Sequence, residues 1–311
     1  MIYTIYHKTS FHYHGFVSFS HNIARLKPKE GCGQKVLSSV IEVEPKAYEM
    51  SEFLDVYANI NTHLLIREPH QDLHVTCKSK VQLFPEQIDE HLKLLKSNPI
   101  TYKETLERLN NFYAEDIEAK KFLFESKDTV EVFEEICLYA LKSFLPERNL
   151  YEAAYEFMGR IFEDFDFVSG FSDVSTPVSK IFEAKKGVCQ DFAQFAIFAL
   201  RAIGIPAKYM SGYIETLPQE GEEKLFGVDA SHAWFAIYIP GAGWAEFDPT
   251  NNMVPREQHI LLGEGRGYED IAPLKGVVFS SGGSNLSVMV DVRREEKKES
   301  LQKQQQSQMQ W

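Results

Sequence analysis

The spacing of hydrophobic and polar positions changes character along the chain. Residues 1–19, 35–43 and 73–83 alternate apolar and polar side chains in places and are rich in Tyr, Phe, His or β-branched residues. That is the period-two pattern of strands with one buried face. Turn chemistry separates them at Lys27-Pro28-Lys29-Glu30-Gly31 and at Arg67-Glu68-Pro69-His70. The first 84 residues therefore predict an antiparallel β domain, a small sandwich. From about 85 to 167 the period becomes helical. Val130, Phe133, Cys137, Ala140, Leu141 and Phe144 fall on one stripe, and Asn149 with Glu152 three residues later predicts a capping box opening the next helix. A loop rich in Gly, Ser, Thr and Pro (169–177) leads into a compact α+β segment that runs from 178 to about 292. Residues 293–311 are charged and Gln-rich without apolar periodicity, and predict a disordered tail. The expected organisation is a β domain over 1–84, a helical segment with an α+β core over 85–292, and a tail over 293–311.

Within the α+β segment, Gly187 permits a sharp turn, and a helical pattern starts just after it. Phe192, Phe195, Ala196, Ala199, Leu200 and Ile203 make an apolar face, Gly204 supplies a C-terminal cap and Pro206 stops the helix. Three strands are predicted next, over 208–214, 232–239 and 244–248, the last two joined by the turn Pro240-Gly241-Ala242-Gly243. The helix has one long apolar stripe and each strand an apolar side, so packing the helix on an antiparallel sheet buries both.

Length, composition and charge narrow the functional classes. A chain of 311 residues with 44% hydrophobic and 25% charged positions is an ordinary globular sequence, long enough for two domains. A net charge of −12 disfavours nucleic acid and anionic membrane as partners, since both select basic surfaces. The start carries no basic-then-apolar leader pattern, and no stretch reaches the length of a membrane span. The four cysteines, Cys32, Cys77, Cys137 and Cys189, show no CxxC pair, and the cytoplasm is the expected compartment. His12 and His14 share a strand face, but no acidic or cysteine cluster completes a metal site, and they are read as strand histidines. No cofactor or metal is expected.

The helix start places Cys189 where free N–H groups and the positive end of the helix dipole favour a thiolate. His232, Trp234, Ala236 and Tyr238 share one face of their strand; Trp244, Glu246 and Asp248 share one face of the next. The hairpin returns Asp248 to the neighbourhood of His232, and Pro249 ends that strand and holds Asp248 extended. Taken singly, Cys189 reads as well as a buried core cysteine, His232 as a strand histidine and Asp248 as a turn residue before proline. Together and in this order they offer a nucleophile, a base and a carboxylate that orients the base.

The stretches Gly187-Val188-Cys189-Gln190-Asp191-Phe192, Arg201-Ala202-Ile203-Gly204-Ile205-Pro206-Ala207, Ser211-Gly212-Tyr213, Ser231-His232-Ala233-Trp234, Gly243-Trp244 and Asp248-Pro249-Thr250-Asn251 resemble the bacterial transglutaminase-like family. The motifs run from 176 to 251, and His7, Thr9, Tyr13, Ser20, Arg25, Leu26 and Pro28 resemble the β domain that often precedes that core. The segments Gly265-Arg266-Gly267-Tyr268-Glu269-Asp270 and Pro273-Leu274 resemble its closing part. The resemblance implies an α+β fold with a papain-like core and a Cys-His-Asp triad of Cys189, His232 and Asp248. One departure is Gln194, where the family often carries His, which bears on substrate contacts. The expected activity is a cysteine enzyme acting on amide bonds of a protein or peptide through an acyl-enzyme thioester. Hydrolysis is favoured over transfer to an amine, because transfer demands a second, water-excluding site. The rival class is a non-catalytic protein-binding module that keeps the fold. No substrate-binding residue is assigned.

Overall fold

The computed structural model describes residues 1–111, 113–123, 133–216, 225–227, 229–279 and 282–295. Six strands open the chain: β1 (Ile2–Val17), β2 (Phe19–Ala24), β3 (Gln34–Glu44), β4 (Glu49–Leu54), β5 (Ile60–Ile66) and β6 (His70–Leu83). Helices α1 (Pro85–Ser97), α2 (Tyr102–Asn110), α3 (Ile117–Lys120), α4 (Phe133–Leu141) and α5 (Leu150–Asp164) follow. Next come a two-residue strand β7 (Asp166–Phe167), α6 (Val178–Ala184), a second short strand β8 (Lys186–Gly187) and helix α7 (Cys189–Ala202). Strands β9 (Ala207–Ile214), β10 (Ser231–Ile239), β11 (Gly243–Phe247) and β12 (His259–Gly265), a one-turn helix α8 (Tyr268–Ile271), β13 (Leu274–Phe279) and β14 (Ser284–Arg294) complete it.

Two four-stranded antiparallel sheets, ordered β14-β1-β6-β3 and β13-β2-β5-β4, face each other over Tyr13, Val17, Leu26, Leu64, Leu73 and Val75. This corrects the expected boundaries in two respects. The last two strands belong to the N-terminal sandwich: β13 pairs with β2 and β14 with β1, so the unit starting at 85 does not run unbroken to 292. Arg293 and Arg294 lie in β14 opposite Thr4 and Tyr3, and the tail does not begin at 293. The physical reason is edge pairing: β1 and β2 each have a free edge, and the returning strands satisfy it. Residues 296–311 lie outside the described residues. Strands β4 and β5 had no clear alternation in the sequence; every residue of β4 is exposed, so no inward face marks it.

The third sheet is ordered β11-β10-β9-β12 and is antiparallel throughout. Helix α7 lies across it with Phe192, Phe195, Ala196, Ala199 and Leu200 buried; α5 packs on the sheet beside it, against β10 and β11, and α4 and α6 pack against the helix. Phe195 alone meets Tyr139, Phe165 and Phe182, with ring centroids 4.8–5.6 Å apart. Each fully buried phenylalanine of this layer contributes on the order of 2 kcal/mol. Asn149 caps α5 by accepting the Glu152 N–H at 3.1 Å, and its Nδ2 donates to Asn98 O; no reciprocal bond from the Glu152 carboxylate to the Asn149 N–H is seen among the described residues, so the box is half formed. A complete box, unforeseen, opens α2: Thr101 Oγ1 accepts from Glu104 N and Glu104 Oε2 from Thr101 N. Of the predicted stripe, Val130 lies outside the described residues, while Ala140 and Phe144 are buried.

The sandwich and the third sheet are joined by an apolar contact of Tyr3, Ile5, Val81 and Leu83 with Tyr213, Ile260 and Leu262. Strand β12 is an edge, and two side-chain amides of the sandwich cover it. Gln34 accepts from Leu261 N at 2.8 Å and donates to Leu261 O at 2.7 Å; Asn59 does the same at Glu264, at 2.9 and 2.7 Å. Each amide stands in for a residue of a fifth strand and closes the edge to foreign strands.

In the same interface His7 is buried between the Tyr213 hydroxyl at 2.9 Å and Thr9 Oγ1 at 3.0 Å. Burial pushes its ring from the ordinary 6.5 down to about 4. Between those values the unfolded chain binds a proton that the folded chain does not. Stability is therefore fully present above about 6.5 and falls as the pH drops toward 4. The expected loss by pH 4 is about 3 kcal/mol. Urea midpoints measured from pH 7 to pH 4 should show it, and His7→Gln should flatten that part of the slope.

Candidate active site

Helix α7 begins at Cys189, with Val188 as the preceding cap residue in extended conformation. Asp191, in the first turn, accepts the Val188 N–H at 2.8 Å and is in turn hydrogen-bonded by the Ser172 hydroxyl. Gly187 earns its place by close approach: a Cβ there would lie 2.7 Å from the Asp191 Cβ. The cap leaves the N–H groups of Cys189 and Gln190 without intrahelical acceptors. The Cys189 side chain is half-buried, beside the fully buried Tyr209.

His232 stands at the start of β10, opposite Gly212 of β9. Gly212 is squeezed between two strands: a Cβ would come within 2.0 Å of the Ile260 carbonyl oxygen and 2.6 Å of the Trp234 ring. No side chain fits, so the strands hold the spacing that β10 and β12 need. The His232 Nε2 lies 2.7 Å from Asp248 Oδ2, and the ring is in electrostatic reach of Cys189. A carboxylate only accepts, so Nε2 carries a proton and Nδ1 is the nitrogen left for sulfur. Burial opposes a charge on this ring, but the interactions with Asp248 and Cys189 outweigh it and hold the imidazolium up to about 10.

Asp248 follows β11 and is 0% exposed, so its charge must be met in full by the protein. Five donors meet it. Oδ2 accepts from His232 Nε2, from Asn251 Nδ2 at 2.8 Å and from His259 Nε2 at 3.0 Å. Oδ1 accepts from the backbone N–H groups of Thr250 and Asn251, at 3.0 and 3.2 Å. Burial alone would raise this carboxyl; the hydrogen bonds from His232 and His259 override it and hold it well below the ordinary carboxylate range.

All three residues singled out in the sequence thus meet at one place. Two partners, Asn251 and His259, were not foreseen as such. Asn251 is part of the Asp248-Pro249-Thr250-Asn251 motif, so its nearness is local; His259 arrives on β12, an unpredicted strand. A faint signal existed: of ten histidines, only His232 and His259 lie beyond residue 91. His232, Asp248 and His259 bring three ligand atoms within 4.8 Å of one another, and here one Asp248 oxygen is shared by the two rings. His12 is bonded to Asp72 at 2.8 Å on the exposed face of the sandwich. Gln194 lies against Gly267, and its Oε1 finds no partner among the described residues.

Residues 3–82 match the bacterial transglutaminase-like N-terminal region, and residues 140–249, which carry Cys189, His232 and Asp248, match the transglutaminase-like superfamily. The chain belongs to the transglutaminase-like superfamily. Among its relatives, the uncharacterized protein Rv2569c of Mycobacterium tuberculosis is 33% identical over 295 residues, covering 93% of this chain and 92% of that one. A protein-glutamine gamma-glutamyltransferase of Pseudomonas aeruginosa is 36% identical over 100 residues, 30% of this chain and 15% of that protein. The fold is shared with the crystal structure of a proposed cysteine protease from Cytophaga hutchinsonii, at a TM-score of 0.70 and 21% identity over 96% of this chain and 92% of that one. The α+β class, with a papain-like helix-on-sheet core and a β domain ahead of it, stands on both kinds of likeness.

Proposed function

We propose that the protein is a cysteine hydrolase of amide bonds in proteins or peptides, with Cys189 as nucleophile, His232 as base and Asp248 as the group that orients the base. The observation that carries this reading is the buried His232–Asp248 pair at 2.7 Å, in electrostatic reach of Cys189 at the N-terminus of α7. In the resting pair the proton of Cys189 resides on His232 Nδ1, and the sulfur attacks the amide carbon. The oxyanion is met by the free N–H groups of the first turn of α7. The C–N bond then breaks, His232 returns its proton to the leaving amine, and a thioester remains on Cys189. Water, deprotonated by His232, resolves the thioester to an acid. The four cysteines form no CxxC pair, and the proposed compartment is the cytoplasm.

A second reading has an amine in place of water at the last step. The likeness of 100 residues to a protein-glutamine gamma-glutamyltransferase favours it. Incubation with a peptide library and a tagged amine, followed by mass spectrometry, separates the two. Hydrolysis predicts cleaved or deamidated peptides that Cys189→Ala no longer makes. Tag incorporation as the dominant product would move the assignment to acyl transfer, and no mass change at all would sink both.

A further inference from the structure

Asp248 carries one more imidazole than this chemistry uses. His259 lies beyond residue 249, where the match to the superfamily ends. Its Nε2 is 3.0 Å from Asp248 Oδ2 and must hold the proton of that bond, while Nδ1 has no partner among the described residues. Its side chain is 2% exposed and the ring stands edge-on to Trp234 at 5.2 Å. Trp234 is itself fixed by its Nε1 bond to Glu246 at 2.6 Å, and Gln34 of the sandwich holds the neighbouring Leu261 backbone. Such a placement is stiff, and its one donor is spent on Asp248.

We propose that His259 is a positioning residue for the amide-bond chemistry, sharing the Asp248 carboxylate with His232 and keeping it ionised and aimed while His232 passes between its charged and neutral forms. The inference rests on the reading above. When His232 is an imidazolium, the buried carboxylate has a counter-charge. When His232 gives its proton to the leaving amine, that counter-charge vanishes, and fixed donors must carry the load. Three come from the loop after β11; the fourth is His259. Sharing also tempers Asp248. A carboxylate that loses one donor draws harder on those that remain, so without His259 the His232 ring holds its proton to higher pH. The two rings face each other at 5.8 Å; Cys189 from α7 and Asp248 after β11 act on His232, Glu246 of β11 is in electrostatic reach of His259, and Cys32, His91 and Arg256 line the cavity that His259 borders.

The test is an NMR titration of the His232 ring in the full chain, which needs no substrate. His259→Phe keeps a flat ring against Trp234 and removes the donor; it should move the His232 titration upward by about one pH unit, the size of one net hydrogen bond. His259→Gln keeps an N–H and should stay near wild type. On a peptide amide cleaved by the wild type, His259→Phe should lower kcat about 10- to 100-fold with KM little changed, as loss of an orienting partner does at comparable sites. An unshifted His232 titration in His259→Phe, or His259→Gln as impaired as His259→Phe, would leave His259 a packing residue and overturn the proposal. Should His259→Phe not fold, the wild type still decides: its His259 Nε2 must show a bound, hydrogen-bonded proton at neutral pH, and a proton on Nδ1 alone refutes the sharing. Loss of turnover in none of these variants, Cys189→Ala included, would instead refute the hydrolase reading and leave the titration result standing.

Discussion

Cys189→Ala is expected to cut amide turnover by roughly 10⁴-fold or more, leaving the small residue that binding and the oxyanion donors supply. Without sulfur no thioester forms, and nothing else within reach of His232 can replace it: its other ring nitrogen is committed to Asp248. His232→Ala should cost about as much, and the double variant little more than either one, because the two residues act as a unit. The fold should survive in Cys189→Ala. The side chain sits half-buried at the first position of α7, and the cap is made by Asp191 and Val188 rather than by sulfur. Unchanged circular dichroism and urea midpoint, together with lost turnover, are the expected pair of results. Turnover retained in Cys189→Ala would end the nucleophile assignment. Limited iodoacetamide offers a separate check on the same residue, since it should modify Cys189 ahead of Cys32, Cys77 and Cys137.

Asp248→Asn is expected to cost about 10⁴-fold in kcat, although the change in shape is slight. The carboxylate accepts on both oxygens, three donors on one and two on the other. An asparagine must place its NH₂ against one of those sets. Turned toward His232, it confronts three N–H donors; turned away, it confronts the backbone N–H groups of Thr250 and Asn251. The way out is for His232 to move its proton to Nδ1, which removes the base from the nitrogen that serves Cys189. Stability should fall too, by about 1–3 kcal/mol for unsatisfied buried donors. The pH dependence gives the signature. Asp248 is a leading support for the imidazolium, so its removal should bring the His232 titration down from about 10. Full activity in Asp248→Asn would show that the orienting role belongs elsewhere.

The contrast between His232 and His259 shows where sequence reasoning reaches and where it stops. His232 was legible because three local signals bracket it: alternation along β10, a Gly/Pro turn of four residues, and Asp248 before a proline on the returning strand. A hairpin is a short-range object, and its geometry follows from the residues within it. His259 has no such frame. It opens β12, which pairs with β9 across the long connection from Ile214, and nothing within a few residues of it names Asp248 as its partner.

The chain's own pattern therefore determined the local pieces: the helix start at Cys189, its apolar face, the three strands 208–214, 232–239 and 244–248, and the order in which nucleophile, base and carboxylate occur. Each depends on side-chain period, cap and turn chemistry, which act over less than about twenty residues. Tertiary structure alone decided which edges meet. It carried β13 and β14 back to β2 and β1 and made one sandwich from the two ends of the chain. It laid Gln34 and Asn59 along the free edge of β12, and it delivered His259 to Asp248. Period-two alternation tells which face of a strand is buried but carries no address for the strand beside it. Partner choice is settled by which edges are left open and which apolar faces are left uncovered once the local elements have formed.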